Sequence, residues 1–172
     1  QFLLHIKYLH SQKTGLWFHG FTFLGRHHFG EAFWARGNSW FTCGAVDFIE
    51  WLRQDDETND CVTRFILNAW KEQCLKLVEL QDRESGLWHT LLDAEDSYLE
   101  TSASAAIAYG LLKGVRLGLL PGCEEAAQKA LRGVIAMVGE DGIVGGVSYG
   151  TPMGHTKDFY RTIPIEATAY GQ

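Results

Sequence analysis

Apolar residues recur at steps of three and four in three stretches: Phe2, Leu3, Ile6 and Leu9; Leu67, Trp70, Cys74, Leu77 and Val78; and Ala127, Leu131, Val134, Ile135 and Val138. That spacing gathers the apolar side chains on one face of an α-helix. A polar turn with a central glycine closes each stretch: QKTGLW at 12–17, RESGLW at 83–88 and GEDGIV at 139–144. The turn glycines stand 71 residues (15 to 86) and 56 residues (86 to 142) apart. After each turn comes an irregular segment and then a second stretch: 36–52, 100–117 and one opening near Glu166. These second stretches are rich in small residues, as in ETSASAAIAYG at 100–110. Small residues let backbones approach closely, so these stretches are predicted to be the better-buried helices.

The repeating unit is therefore helix, GLW turn, loop, inner helix and connection. Strand signals are weak. Pro121-Gly122 and the polar run QDDETND at 54–60 read as loops between hairpins. Stacked helical hairpins of this length form an open solenoid or a closed α/α toroid. The long, varied loops all fall at one end of the hairpins, which in a toroid is the mouth. Residue 1 falls inside an apolar helix pattern, and the chain stops where a third inner helix is expected to begin. About two and a half hairpins are legible, and six at a mean step near ~60 residues need roughly twice this length. The expectation is one partial toroid domain over residues 1–172.

Composition narrows the function. The chain is 46% hydrophobic and 21% charged, a globular balance. Its 15 Lys and Arg against 21 Asp and Glu give a net charge of −6, without a basic stripe. Nucleic acid and anionic membranes are therefore poor partners. The longest apolar runs are far short of a membrane span. The opening QFLLHIKYLH lacks the basic head and small-residue cleavage site of a signal peptide. Cys43, Cys61, Cys74 and Cys123 show no zinc or redox spacing and read as reduced thiols of a cytoplasmic protein. Aromatics at 13%, with six Trp, suit a core or a sugar-stacking cleft.

Candidate chemistry is densest in WFHGFTFLGRHHFGEAFWARGNSW at 17–40. Arg36 and Trp40 stand four apart at the start of an inner helix and so share a face. An Arg fork offers paired donors to a carboxylate, and a Trp one turn on offers a flat wall for a sugar ring. The helix N-terminus adds free amides and positive dipole. Together these fit an anionic ring such as a uronate. The same spacing fits an Arg paired to a neighbouring acid and a Trp in the core. His19 belongs at the same mouth, as a hydrogen-bond donor or proton shuttle, or simply as a packed histidine. His27, His28 and Glu31 resemble a metal cluster, but adjacent histidines cannot both face one way on a helix, and no metal or other cofactor is expected. Glu100 and Glu166 open the second and third inner helices in register with Arg36. Capping accounts for Glu166, whereas Glu100 is either a cap or a hydroxyl-binding group at the mouth. Residues 148–154, SYGTPMG, read as a rim loop rather than a phosphate loop. No nucleophile elbow occurs, and no two carboxylates pair across a cleft from spacing alone.

At these residues the chain resembles glycoside hydrolase family 105, the unsaturated rhamnogalacturonyl hydrolases, and more distantly family 88, the unsaturated glucuronyl hydrolases. The matching pieces are TGLWFHG (14–20), FWARGNSW (33–40), QDRESGLW (81–88), SYLETSASAAIAYG (97–110), DGIVGGVSYGTPMG (141–154) and the closing AYGQ. FWARGNSW with His-Gly upstream is the specific part. The resemblance implies an (α/α)6 toroid, of which this chain covers about the second half. It implies removal of a terminal 4,5-unsaturated uronic acid from lyase-generated oligosaccharides by an Asp that protonates the double bond and activates water. It places Arg36 and Trp40 against the uronate, with Trp34 and His19 beside them, and puts the Asp upstream of residue 1. After His-Gly the family usually has Trp-Asp, where this chain has Phe21-Thr22. That departure removes a carboxylate from the mouth. The alternatives are an unsaturated glucuronyl hydrolase acting on another polysaccharide, and a helical-hairpin module that binds sugars or proteins without catalysis.

Overall fold

The computed structural model describes residues 1–54 and 60–172. The polar run at 54–60, read as a loop, lies almost wholly outside the described residues. Three outer helices, α1 (Phe2–Leu9), α3 (Cys61–Glu79) and α5 (Glu124–Ala136), run into the three glycine turns. Two inner helices, α2 (Ala35–Gln54) and α4 (Thr101–Arg116), follow the first two turns. The inner pair pack on each other, α2 rests on α3, α4 on α5, and α1 on α3. Among the described residues no helix is long and apolar enough to cross a membrane, and the four cysteines are free.

Small residues set the inner contact. A Cβ on Gly110 of α4 would lie 2.8 Å from the Thr42 carbonyl oxygen of α2, and one on Gly114 would lie 2.5 Å from the Trp70 ring. The fully buried Trp70 and Trp88 donate their indole N–H groups to the carbonyls of Thr42 (2.8 Å) and Leu77 (2.7 Å). Two large rings thus enter the core without stranding a donor. The outer helix α3 is as well buried on its inward face as the inner helices, with Ile66, Ala69, Trp70, Cys74 and Leu77 all sealed. In turn α2 leaves Trp40 and Trp51 exposed.

The repeated turns share a left-handed glycine, and the first two share a hydrogen bond as well. Gly15, Gly86 and Gly142 all adopt positive φ, at 75, 79 and 80°. Ser11 and Asp82 donate their amides five residues ahead, to Leu16 (2.8 Å) and Leu87 (3.0 Å). Beyond each turn the chain forms isolated bridges rather than strands, among them Trp34 with Leu91, His89 with Leu99, and Ser148 with Ile165. The opening of each inner helix also fastens its own turn. Asn38 accepts from the Trp17 amide (2.8 Å), and Ser104, at the matching position of α4, accepts from the Trp88 amide (2.9 Å).

The third unit departs from the expected pattern. No inner helix starts at Glu166. That residue is exposed, and its amide donates to Val147 (3.0 Å) while Tyr149 donates to Pro164 (2.8 Å). Residues 164–166 are thus held extended against 147–149, and Pro164 brings no amide to a helix. A short helix that the pattern did not predict, α6 (Lys157–Arg161), precedes this segment, with Thr156 accepting from the Phe159 amide at its start. A 3₁₀ turn at Ala169–Gly171 follows it.

Candidate functional site

The loops after the turns converge, as the register of the inner helices predicts. Arg36 lies in the first turn of α2 and reaches the Ser148–Thr151 segment. It donates to the carbonyl oxygens of Ser148 (2.7 Å) and Tyr149 (2.8 Å), and to the hydroxyls of Ser102, Tyr170 and Thr151 (3.2 Å each). Its guanidinium lies between two rings, 4.8 Å from the Trp34 centroid and 5.0 Å from that of Tyr170. Only 5% of Arg36 is exposed.

Glu100 compensates the buried cation. Its carboxylate is sealed and stands 3.5 Å from Arg36. The remaining lone pairs take the Ser148 amide (2.9 Å), the Ala103 amide (2.7 Å) and the Ser102 hydroxyl (2.9 Å). Glu100 is thus the N-cap of α4 and at the same time the partner of Arg36. Both oxygens are engaged within the protein. The reading of Arg36 as an Arg paired to a neighbouring acid therefore has a concrete geometry.

An open cavity of about 460 Å³ lies on the other side of Trp34. Trp17, His19, Trp34, Gly37, Trp40 and Phe41 are among its walls. The site residues read from sequence divide here. His19, Trp34 and Trp40 line the cavity. Arg36, one helical turn before Trp40, backs onto Trp34 and spends its fork on the 148–151 segment. Trp40 is 64% exposed at this cavity. A Cβ on Gly37 would stand 3.2 Å from the Trp34 ring and 3.6 Å from His19, so the absence of a side chain there keeps the floor open.

His19 is half-buried. Its ring packs 4.2 Å from that of Trp34, and Nδ1 lies 2.7 Å from the Tyr160 hydroxyl. Burial, and then the charge of Arg36, lower its pKa from 6.5 to about 4. The imidazole is neutral at pH 7. The sign of the linkage follows. Between pH 6.5 and about 4 the unfolded chain takes up a proton that folded His19 refuses, so this residue lowers stability as pH falls through that window. Urea unfolding across pH is expected to show this loss, and His19→Gln is expected to reduce it, leaving the part due to His10, whose pKa burial also lowers. An unchanged profile in the variant would exclude His19 as a source. The carboxylates whose pKa is depressed, such as Asp82 with its Ser85 hydrogen bonds, act at lower pH.

The histidines farther along the loop serve other ends. His28 Nε2 meets the Tyr8 carbonyl (2.8 Å) and its ring stacks on Phe18, while His27 Nδ1 accepts from the Phe29 amide (3.0 Å). Phe21 packs against Tyr8, Phe23 and His28, so an apolar cluster stands beside Thr22. Three contributors escaped the sequence reading. Asn38 is sealed and clamps Trp17 through both amide and carbonyl, and Gln73 donates to its backbone oxygen (3.0 Å). Tyr160 reaches His19 across 141 residues of sequence.

Comparison with known proteins agrees with this architecture. A family model described as Glycosyl Hydrolase Family 88 matches residues 1–172. The unsaturated rhamnogalacturonyl hydrolase YesR of Bacillus subtilis (strain 168) is 35% identical over 166 residues, covering 96% of this chain and 45% of that protein. Among solved structures, a possible member of the GH105 family from Salmonella enterica superposes with a TM-score of 0.94 at 47% identity. A possible GH105 member from Klebsiella pneumoniae superposes with a TM-score of 0.93 at 46% identity. Each covers 99% of this chain, which spans 45% and 44% of theirs. The fold is thus that of the (α/α)6 toroid enzymes, over a little under half their length.

Proposed function

Since the chain belongs to Glycosyl Hydrolase Family 88, we propose that it forms the sugar-holding wall of an unsaturated rhamnogalacturonyl hydrolase. The substrate is an oligosaccharide left by a lyase acting on rhamnogalacturonan, a pectin, and it ends in a 4,5-unsaturated uronic acid. Hydration of that double bond sends a proton to C4 and a hydroxyl to C5, and the resulting hemiketal opens to release the next sugar. One observation carries the reading: His19, Trp34 and Trp40 line one open cavity, with the Arg36 cation behind Trp34. Trp40 supplies the exposed flat face, and Trp34 forms a fixed wall. The positive potential of Arg36 is felt at His19, where it opposes protonation, and the same potential favours a carboxylate in the cavity. The proton donor is assigned to no carboxylate of this chain. Glu100, which has a place at the mouth, is engaged on both oxygens. The departure at Phe21-Thr22 puts an apolar cluster where the family usually has a carboxylate, which bears on the neighbouring sugar.

Titration with an unsaturated rhamnogalacturonan disaccharide, followed by tryptophan fluorescence, tests the binding half of this proposal. The unsaturated disaccharide is expected to bind in preference to one ending in a neutral sugar. Trp40→Ala is expected to weaken it by at least tenfold, the loss of about 1.4 kcal/mol or more that truncating a ligand-stacking aromatic brings. Equal affinity for both sugars, or an unchanged affinity in the variant, would refute the reading. Preference for a glucuronyl-linked disaccharide would move the substrate to another polysaccharide.

A further inference from the structure

We infer that Tyr160 is a positioning residue for His19, holding the imidazole in the tautomer that carries its hydrogen on Nε2 and so presents a donor to the cavity. The inference follows from counting protons around one buried hydroxyl. Tyr160 is 1% exposed. Its oxygen lies 3.0 Å from the Gly154 amide nitrogen and 2.7 Å from His19 Nδ1. The amide can only donate, so the phenol oxygen accepts there. The phenol hydrogen then needs an acceptor, and His19 Nδ1 is the one remaining partner of this hydroxyl among the described residues. If Nδ1 carried a hydrogen instead, both neighbours would donate to the oxygen and the phenol hydrogen would be stranded in a sealed site. The same count excludes the imidazolium, which donates from both nitrogens. Nδ1 is therefore bare and Nε2 carries the hydrogen.

The surroundings fix this arrangement. Burial raises the Tyr160 pKa, so the phenol keeps its proton. Burial and Arg36 lower that of His19, so the ring stays neutral. Tyr160 rides on α6, which is tied to the 89–100 loop by Lys157 to Asp93 (2.5 Å) and Arg161 to Asp96 (3.0 Å). Trp34 packs against the imidazole and limits its rotation. Nε2 has no protein partner among the described residues, and His19 lines the cavity. A donor there suits a sugar hydroxyl or a uronate oxygen, whereas an acceptor would repel the carboxylate. The use of that donor on a sugar rests on the function proposed above; the tautomer itself does not.

Long-range proton–nitrogen correlation spectra of the 172-residue chain read the tautomer directly, without substrate. His19 is expected to show a protonated Nε2 and a bare Nδ1 from about pH 8 to 6, the range in which an unperturbed histidine gains its charge. A protonated Nδ1, or an averaged mixture of tautomers, would overturn the inference in the wild-type protein alone. In Tyr160→Phe the single tautomer is expected to give way to a mixture, and affinity for the unsaturated disaccharide to fall about 3- to 10-fold, as for one lost neutral hydrogen bond. His19→Gln supplies the second arm, because its amide N–H occupies the place of Nε2 and needs no phenol to orient it. Adding Tyr160→Phe to His19→Gln is expected to cost no further affinity. The same loss in both backgrounds would show that Tyr160 acts on the fold and not through His19. Failure of every form to bind the disaccharide would refute the uronate reading, while the spectra still decide the role of Tyr160.

Discussion

Arg36→Met is expected to destabilise the protein by about 3–5 kcal/mol, as when one partner of a buried ion pair is removed. The loss has two sources. Glu100 is left as a sealed, uncompensated carboxylate, because its other partners are amides and a hydroxyl that cannot replace a cation. The carbonyls of Ser148 and Tyr149 also lose charge-assisted donors. Arg36→Lys keeps the charge but offers a single nitrogen where the fork serves two carbonyls, so a smaller loss of about 1–3 kcal/mol is expected. Glu100→Gln combined with Arg36→Met is expected to cost less than the two separate changes added together, because the second change removes the stranded charge. Urea unfolding of the single and double variants decides this. Strict additivity would mean that Arg36 and Glu100 do not form an energetic unit.

Gly86→Ala is the second large effect. The turn holds φ at +79°, which costs a residue with a Cβ about 1–2 kcal/mol. The added carbon would also lie 2.7 Å from the Lys129 carbonyl oxygen on α5, a backbone atom that cannot swing away. Forcing the turn off α5 adds roughly 1–3 kcal/mol, as for other overpacked contacts. Gly142 is its counterpart in the third turn, with φ +80° and nothing within 4 Å of the added carbon. Gly142→Ala is expected to show the conformational cost alone. Thermal unfolding should separate the pair by several degrees, since about 1 kcal/mol moves the midpoint of a chain this size by about 2–4 °C. Equal shifts would show that the approach of the second turn to α5 carries no weight.

These two glycines show what a linear pattern reveals. The recurrence of Gly with two large apolar residues disclosed the turns, the apolar steps ahead of them disclosed the three outer helices, and the small-residue stretches after them disclosed the two inner ones. The same letters could not say which turn is pressed against a neighbour, because that depends on an outer helix some 40 residues away. The third unit was misread for a related reason. ETSASAAIAYG and the segment around Glu166 both offer an acid ahead of small residues, and both acids donate their amides to an earlier loop, Glu100 to Trp88 (2.9 Å) and Glu166 to Val147 (3.0 Å). They differ in surroundings that the letters do not carry: Glu100 is sealed and caps α4, whereas Glu166 is exposed and is followed by a 3₁₀ turn. At the candidate site, Trp40 and His19 were legible from residues that fall within one stretch, and Trp34 from the family resemblance alone. Asn38 and Gln73 were not, since a buried amide looks the same in sequence as an exposed one. Tyr160 had no local signal at all.

The distances along the chain over which the site is stitched shape how it comes into being. Arg36 meets Ser148 across 112 residues, and His19 meets Tyr160 across 141, whereas α4 and α5 are consecutive helices joined by a short loop. Loop-closure entropy makes the long connections late events, reached after the helical hairpins have collapsed. A cleft assembled after the folding barrier draws its persistence from bonds absent at that barrier. Its strength governs how quickly the molecule opens rather than how quickly it forms. The rim can therefore diverge in sequence while the hairpins beneath it continue to fold at an unchanged speed.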